Sequence, residues 1–288
     1  MVGGRAASPA VPILRQEVHV KKAIVVFAIM LLCVSIVCVF FFARDYMTAQ
    51  DEMSEYDAVQ NEYTSILLEH VIESVRDPNE DLETPEVTGL PYISADFDAL
   101  LADNPETVGW IAIPDSVISY PVVQAKDNVK YLSTSFLGKR SSAGTPFADK
   151  NNNLQDLDAN TIIYGHNMGA GRQDMFGSLL SYKDKSYFES HRYIQFDTIY
   201  QQHGWWKVFA VIEHDIRSDE FQYLRTQFDG DDDFLEWIDA ATARSLFGSG
   251  FQLSANDRVL TLSTCDRSKY GKNGRLLVLV VRMQAPAT

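Results

Sequence analysis

One cysteine of this chain lies where it could act as a nucleophile. The segment TLSTC, residues 261–265, is a β-branched apolar run that ends at Cys265, and a polar gap separates it from a second apolar run that opens with Arg275. The other two cysteines, Cys33 and Cys38, lie in an apolar N-terminal segment, so Cys265 has no disulfide partner in the rest of the chain. An unpaired thiol where a strand meets a loop is a candidate reactive group.

A cysteine nucleophile needs a base or a cation nearby, because the thiolate attacks and a free thiol of pKa about 8.5 is mostly protonated at neutral pH. His166 is the strongest candidate base, since it follows the apolar run TIIY and Gly165 and therefore emerges at the end of a strand. We expect Gly165 to let the backbone turn tightly there. Three other histidines after the apolar segment are interpreted as exposed or core-capping residues: His70, His191 and His203. His214, at the end of a long apolar run, is a weaker candidate base.

Arg275 would supply a permanent positive charge. The nine residues between Cys265 and Arg275 allow the second strand to return antiparallel beside the first, which would bring the guanidinium near the sulfur. Arginine stays protonated and has five donors, so it suits a developing oxyanion or a substrate carbonyl. Alone, Arg275 would be interpreted as a solubilising charge on an edge strand; together with Cys265 and His166 it indicates nucleophilic catalysis.

These three residues require a scaffold that brings strand ends together. From Trp110 onward the chain consists of short β-rich runs separated mostly by turn-rich segments, which predicts a closed or nearly closed β-barrel. Helices are predicted at residues 173–182 and 231–247, and the acids Asp231 to Asp233 suit a helix N-terminus. A calcium site there is disfavoured, because the ligand spacing of a calcium loop is missing.

The N-terminal part of the chain is predicted to be a membrane anchor. Residues 23–43 are a run of 21 residues without a charge, the length that crosses a bilayer as a helix. The run is longer than the apolar core of a cleavable signal peptide, so an uncleaved anchor is preferred over cleavage. Basic residues precede the run and acidic residues follow it, so we expect residues 1–22 to lie in the cytoplasm and the chain after residue 44 to lie outside the cell membrane.

An acidic region, residues 44–103, is expected to connect the anchor to the barrel domain, residues 104–288. Apolar residues at three- and four-residue steps predict an amphipathic helix through Ala58, Val59, Tyr63, Ile66, Leu67, Val71 and Val75. A proline-containing linker is predicted at residues 76–91, followed by a short helix that Ser94 would cap. The net charge of −14 argues against a nucleic-acid partner.

Three motifs resemble those of the sortases, the membrane-anchored cysteine transpeptidases of Gram-positive bacteria. TLSTC is similar to the family's TLxTC motif, Arg275 stands ten positions after the cysteine as the family's arginine does, and YGHNM at residues 164–168 is similar to the histidine block. The class B branch fits best, on NPETVGWIAIP (104–114), on YPVVQAKDNVKYL (120–132) and on the helix inserted before the last two strands. The resemblance spans roughly residues 104–283.

The resemblance implies a fold and a role for several residues. The fold would be mainly β, a closed eight-stranded sortase-type barrel with N-terminal helices and an inserted helix before the last two strands, preceded by one transmembrane helix. Cys265 would be the nucleophile, His166 the general acid and base, and Arg275 the stabiliser of the tetrahedral oxyanion. Four residues would line the sorting-signal groove: Asn128, Leu132, Tyr164 and Ser263. Asp266 stands where the family frequently has glutamate.

The reaction implied by the resemblance is an acyl transfer in two halves. Cys265 would cleave the C-terminal sorting signal of a secreted surface protein after Thr and form a thioester. An amine of a lipid-linked peptidoglycan precursor, or a pilin lysine, would then resolve the thioester. Both partners are tethered at the outer membrane face, which gives the anchor a physical purpose. Neither a cofactor nor a metal ion is implied.

Other classes of protein fit the sequence less well. An L,D-transpeptidase typically has histidine and glycine directly before its cysteine, where Ser263 and Thr264 stand here. A papain-like hydrolase has its cysteine at the start of a long helix and upstream of its histidine, the reverse of the order here. The alternative from another class is a membrane-tethered β-barrel that binds cell-wall polymer or protein partners without catalysis; an unreactive Cys265 would favour it.

Overall fold

The computed structural model describes residues 11–67, 90–169, 171–250 and 252–283. Its first element is one long helix, α1 (Val11–Tyr63). Part of this helix is long and apolar enough to cross a membrane, a property that membrane anchors and signal sequences share. Residues up to Asp51 form one compact unit, and residues from Glu52 onward form a second.

Two short strands lie outside the barrel. β1 (Thr64–Leu67) follows α1 directly and pairs antiparallel with β2 (Tyr92–Ala95). The predicted amphipathic helix is therefore wrong from Thr64 onward, because the residues that follow Tyr63 form a strand instead. The last two residues of that predicted helix, Val71 and Val75, lie outside the described residues.

A short helix, α2 (Phe97–Asp103), follows β2 as predicted, but a different residue caps it. The side chain of Asp96 accepts a hydrogen bond from the backbone nitrogen of Ala99 at 3.0 Å. Ser94, the predicted cap, lies inside β2. Aspartate and serine cap helices comparably well, so pairing of β2 with β1, rather than capping preference, decides where α2 begins.

Eight strands form a closed barrel in the order β10-β8-β7-β3-β4-β5-β6-β9, which confirms the predicted fold class. In chain order these strands are β3 (Thr107–Ala112), β4 (Ser119–Val123), β5 (Phe147–Ala148), β6 (Asn160–Tyr164), β7 (Tyr193–Thr198), β8 (Trp205–Asp215), β9 (Val259–Cys265) and β10 (Gly274–Arg282). The pairs β4–β5 and β6–β9 are parallel, and the other neighbouring pairs are antiparallel.

Helices occupy the connections between the strands. The remaining α-helices are α3 (Lys185–Ser190), α4 (Asp231–Arg244) and α5 (Arg267–Tyr270). The helix predicted at residues 173–182 is a 3-10 helix, Phe176–Lys183, and the helix predicted before the last two strands is α4. At the start of α4, Asp233 forms an ion pair with Arg225 and accepts a hydrogen bond from the backbone nitrogen of Asp229 at 2.8 Å.

The apolar run of β10 is continuous because both faces of the strand are buried. Leu276, Val278 and Val280 belong to one large core cluster. The alternate residues belong, with the apolar face of α4, to a second cluster that includes Leu277, Leu279, Val281, Phe234, Trp237 and Ile238. Burying one such side chain fully stabilises the fold by roughly 1.5–3 kcal/mol. This double burial fixes β10, and with it the position of Arg275 near its first residue.

Candidate active site

The parallel pairing of β6 and β9 brings two chain segments together at one rim of the barrel. Tyr164 at the end of β6 is the register partner of Ser263. Beyond β6, the backbone nitrogen of Gly165 donates to the carbonyl oxygen of Ser263 at 3.2 Å. Parallel strands end at the same edge of a sheet, so Cys265 at the end of β9 and His166, two residues beyond β6, lie at the same rim of the barrel.

Side-chain hydrogen bonds tie the two segments to each other. Asn167 Nδ2 donates to the carbonyl oxygen of Cys265 at 2.8 Å. Thr264 Oγ1 donates to the carbonyl oxygen of Gly165 at 2.9 Å. Cys265 itself is half-buried and forms no disulfide. The cysteine is therefore held at a fixed strand end and is not fully buried.

Arg275 lies directly across from Cys265. The two residues are register partners in the antiparallel pair β9–β10, which confirms the predicted return of the second strand. Directly opposed residues of an antiparallel pair extend from the same face of the sheet. The guanidinium donates through Nη1 to the carbonyl oxygen of Gly274 at 2.8 Å, so part of its donor capacity is used within the protein. Nη1 also lies 3.4 Å from the carbonyl oxygen of Lys272.

The ring of His166 is oriented by backbone groups. Nε2 lies 2.8 Å from the carbonyl oxygen of Leu132. A carbonyl oxygen only accepts, so this contact assigns a proton to Nε2 and leaves Nδ1 as the nitrogen that can exchange a proton in the neutral ring. Gly144, at φ +60°, packs against the ring: a Cβ there would lie 3.1 Å from His166 Cδ2 and 2.3 Å from the oxygen of Tyr131. A larger residue would displace the ring.

Gly165 serves a purpose different from the expected one. It does not adopt a positive φ, so no tight turn depends on it. A Cβ at Gly165 would instead lie 2.3 Å from Cγ of Phe176, whose ring covers the backbone at this point. The backbone nitrogen of Phe176 donates to the carbonyl oxygen of His166 at 2.8 Å. Glycine is needed here for close packing, which in turn holds the backbone of His166.

The four residues predicted to bind substrate differ in exposure. Asn128 Nδ2 and the hydroxyl of Tyr164 both donate to Asp149 Oδ2 at 2.8 Å. The side chain of Leu132 is 41% exposed, whereas Ser263 is buried at 2% exposure. The structure therefore brings Asn128 and Tyr164 together through the shared carboxylate of Asp149, whereas the side chain of Ser263 is buried. Substrate binding by these four residues stays a prediction.

Burial and the carboxylate of Asp149 raise the pKa of Tyr164 far above the ordinary value for tyrosine. Tyr164 is therefore a neutral hydroxyl at every pH at which the protein would act. Sequence reasoning missed Asp149, because a single aspartate after the short strand β5 carries no local signal. Its importance comes from contacts made 15 and 21 residues away in the chain.

Two further residues near Arg275 were missed or given little weight. His214 on β8 is the register partner of Arg275 on the side opposite Cys265. Burial lowers the pKa of His214, so the neutral imidazole is favoured. The ring of Tyr223 packs edge-on against His214, with 5.0 Å between ring centroids. The place of His214 at the end of an apolar run was visible in the sequence, but Tyr223 lies in a loop without a motif.

A thiol, an imidazole and a guanidinium at one rim are the groups that nucleophilic acyl transfer requires. Within the described ranges, no group of three or more histidine, cysteine, aspartate or glutamate residues is arranged to hold a metal ion.

Comparison with known proteins gives a consistent result. A family model of the sortase domain matches residues 111–282. Sortase B of Staphylococcus aureus is 26% identical over 265 residues, which cover 92% of this chain and 98% of that protein. Sortase B of Listeria monocytogenes is 36% identical over 178 residues, which cover 61% of this chain and 69% of that protein.

Solved structures agree with the sequence matches. A crystal structure of sortase B from Bacillus anthracis has a TM-score of 0.65 and 29% identity, and the match covers 83% of this chain and 99% of that one. A complex of Staphylococcus aureus sortase B with substrate has a TM-score of 0.64 and 28% identity, with 84% and 100% covered. The chain therefore belongs to the sortase family of cysteine transpeptidases, in its class B branch.

Proposed function

We propose that this chain is a membrane-anchored sortase that cleaves the C-terminal sorting signal of secreted surface proteins after Thr and transfers the acyl group to an amine. The observation that supports the proposal most directly is the pairing of Cys265 with Arg275 across β9 and β10. The parallel neighbour β6, which leads to His166, adds the third group. Each group has a distinct task in the two half-reactions.

In the first half-reaction, the Cys265 thiol gives its proton to Nδ1 of His166, and the resulting thiolate attacks the carbonyl carbon of the threonine. The guanidinium of Arg275 donates to the oxyanion as the tetrahedral intermediate forms, which lowers the barrier because charge develops on that oxygen. The carbon–nitrogen bond then breaks, and His166 gives the proton of Nδ1 to the departing amine. Nε2 of His166 keeps its proton and donates it in a hydrogen bond to the carbonyl oxygen of Leu132, so the ring keeps its orientation throughout.

In the second half-reaction, an amine attacks the thioester carbonyl. His166 Nδ1 removes a proton from the attacking nitrogen, and Arg275 again donates to the oxyanion. The carbon–sulfur bond breaks and the thiolate of Cys265 returns. The amine belongs to a lipid-linked peptidoglycan precursor or to a pilin lysine. No cofactor takes part in either half-reaction.

The sorting signal would lie along the rim over four residues: Asn128, Leu132, Tyr164 and Ser263. The exposed side chain of Leu132 offers apolar contact. Asn128 and Tyr164 are tied to Asp149, so their orientation is set before the peptide binds. A preorganised groove binds a flexible peptide with a smaller entropic cost than a mobile one would.

The anchor would confine the enzyme to the membrane on which both substrates are held. We propose a cytoplasmic tail at residues 1–22, a transmembrane segment at residues 23–43, an acidic connecting region at residues 44–103 and an extracellular catalytic domain at residues 104–288. The long apolar helix supports this arrangement. Confinement to one surface raises the encounter frequency of enzyme and substrate, as a linker does for two binding modules.

The proposal is tested with the full-length chain in detergent micelles and a library of fluorogenic peptides, with and without an added primary amine. We expect cleavage after Thr in one peptide class, and a product joined to the amine when the amine is present. A thiol-reactive vinyl sulfone should label Cys265 in the same preparation. If Cys265 stays unlabelled and every peptide stays intact, the proposal is wrong, and a non-enzymatic binding protein is the better interpretation.

A further inference from the structure

Lys183 joins three segments that surround the connection from Cys265 to Arg275. It ends the 3-10 helix that follows the His166 segment. Its Nζ lies 2.7 Å from Glu213 Oε1 on β8 and 2.9 Å from Asp266 Oδ2, directly after Cys265. It also donates to Ser268 Oγ at 2.9 Å. One ammonium group therefore ties the strand end of Cys265 to two other parts of the barrel.

Asp266 is fixed through both of its carboxylate oxygens. Oδ1 accepts from the backbone nitrogen of Ser268 at 2.9 Å and from its hydroxyl at 2.7 Å, and these bonds cap α5. Oδ2 accepts from Lys183, and the side chain is only 4% exposed. Burial opposes ionisation of Asp266, but the bonds from Lys183 and Ser268 outweigh it and hold the pKa below the ordinary value.

The backbone of Asp266 has no room to move independently. Its nitrogen donates to the carbonyl oxygen of Gly274 at 3.1 Å. A Cβ at Gly274 would lie 1.9 Å from the carbonyl oxygen of Asp266, so the two strands approach as closely as a glycine allows. Any shift of Asp266 is therefore passed to Cys265 on one side and to the pairing with β10 on the other.

We infer that Lys183 is a positioning residue for the cysteine, one that holds Asp266 and thereby fixes the Cys265 thiol relative to His166 and Arg275. This inference rests on the proposed function. A carboxylate this deeply buried is costly without its counter-ion, so Asp266 would move toward water if Lys183 were neutral. Glu213 would keep a cation, because Lys269 Nζ lies 3.5 Å from its Oε2.

A positioning role has a kinetic signature that a purely stabilising role lacks. The polar partners of Lys183 are Glu213, Asp266 and Ser268, none of which belongs to the substrate groove proposed above, so peptide binding should be unaffected. A misplaced thiol slows the chemical step, since a shift of about 1 Å in a reacting group can cost on the order of a hundredfold in rate. Loss of Lys183 should therefore lower kcat and leave KM unchanged.

The test uses three full-length variants: K183Q, D266N and the double variant that carries both changes. K185Q is the matched control. Lys185 is close in sequence, but its ion pair with Glu189 is long, at 3.6 Å, and exposed. The D266N side chain retains an oxygen that can cap α5 and loses only the ion pair. The probe is the fluorogenic peptide that the wild type cleaves fastest, assayed well below the melting temperature of each variant. Amide hydrogen exchange of residues 266–274 is measured in parallel, without peptide.

We expect K183Q and D266N each to lower kcat about ten- to a hundredfold with KM unchanged, and to speed exchange in residues 266–274. The double variant should be no slower than the slower single variant, because both substitutions break the same ion pair between Lys183 and Asp266. K185Q should match the wild type. If K183Q does not fold, D266N carries both measurements.

Three results would overturn the inference: wild-type kcat in K183Q or D266N, a lower melting temperature as the sole change, or losses that multiply in the double variant. A wild type that cleaves no peptide refutes the proposed function instead. In that case the exchange measurement still decides whether Lys183 holds the segment after Cys265.

Discussion

At the scale of single residues, the chemistry of the rim depends on donors and acceptors fixed before a substrate arrives. The carbonyl of Leu132 sets the tautomer of His166, and Asn167 holds the carbonyl of Cys265. Arg275 lies across from the thiol and keeps donors that its bond to Gly274 does not use. Preorganised groups of this kind stabilise a transition state without having to reorient during the reaction.

Replacement of Arg275 tests the oxyanion role. We expect R275A to lower kcat on the order of 10²–10³-fold, the usual cost of removing one oxyanion donor. R275K should recover only part of the rate, because an ammonium group lacks the planar fork of a guanidinium. R282A, at the far end of the same strand, is the matched control and should keep the wild-type kcat. Equal rates for R275A and R282A would remove Arg275 from the mechanism.

We expect His214 to make the stability of the protein depend on pH. Burial lowers its pKa below the ordinary value of 6.5, so the folded state favours the neutral ring more than the unfolded state does. The resulting stabilisation is complete above the unfolded pKa and is lost as the pH falls below it. We expect the melting temperature of wild type to fall more steeply than that of H214Q between neutral pH and mildly acidic pH. Parallel curves would contradict this prediction.

At the scale of elements, the site depends on strands that are held from both sides. β10 is buried on one face in the large core cluster and on the other face with α4. The inserted helix α4 therefore helps to support the rim, because Arg275 is the second residue of β10. The connection from Cys265 to β10 contains α5, which Asp266 caps.

Truncation of one buried residue of β10 measures that support. Leu277 is completely buried in the cluster with α4, so L277A should lower the free energy of unfolding by about 2–5 kcal/mol. L224A is the matched control: this leucine is 53% exposed, and its loss should change stability by less than about 0.5 kcal/mol. Urea denaturation of both variants checks the difference, and similar midpoints would mean that α4 does not support β10.

The sequence predicted elements whose signals are local, and it missed contacts that are not. The β-rich runs, α4 and the antiparallel return from Cys265 to Arg275 follow from patterns within a few residues. The strand β1 was missed because its pairing with β2 is decided by residues nearly thirty positions away. Asp149 and Lys183 were missed for the same reason, since tertiary contacts alone give them their place at the rim.

At the scale of the whole molecule, the chain combines a long apolar helix with a compact catalytic unit. The last turns of α1 belong to that unit: Tyr56 is buried, and Glu52 Oε1 accepts a hydrogen bond from the backbone nitrogen of Ser142 at 2.9 Å. Lys139 forms an ion pair with Glu55 at 2.9 Å. The end of the helix that follows the apolar segment is thus structural, and the proposed role of the apolar segment is attachment to a membrane.

A shortened protein tests this division. A chain that begins at Asp45 keeps Glu52, Glu55 and Tyr56, so it should fold and cleave soluble peptide with the kcat and KM of the full-length chain. A chain that begins at Thr64 loses those contacts and should melt at a lower temperature. Circular dichroism and peptide cleavage check both. If the chain that begins at Asp45 does not fold, the apolar segment has a structural role beyond tethering.

The proposed mechanism requires Cys265 to carry the acyl group between the two half-reactions. The most direct measurement is site-resolved mass spectrometry of the full-length wild type and of C265A, each mixed with the peptide that the wild type cleaves. We predict an adduct on Cys265 with the mass of the peptide fragment that ends in Thr, its disappearance when a primary amine is added, and no cleavage by C265A. Cleavage by C265A, or an adduct on another residue, would contradict this mechanism.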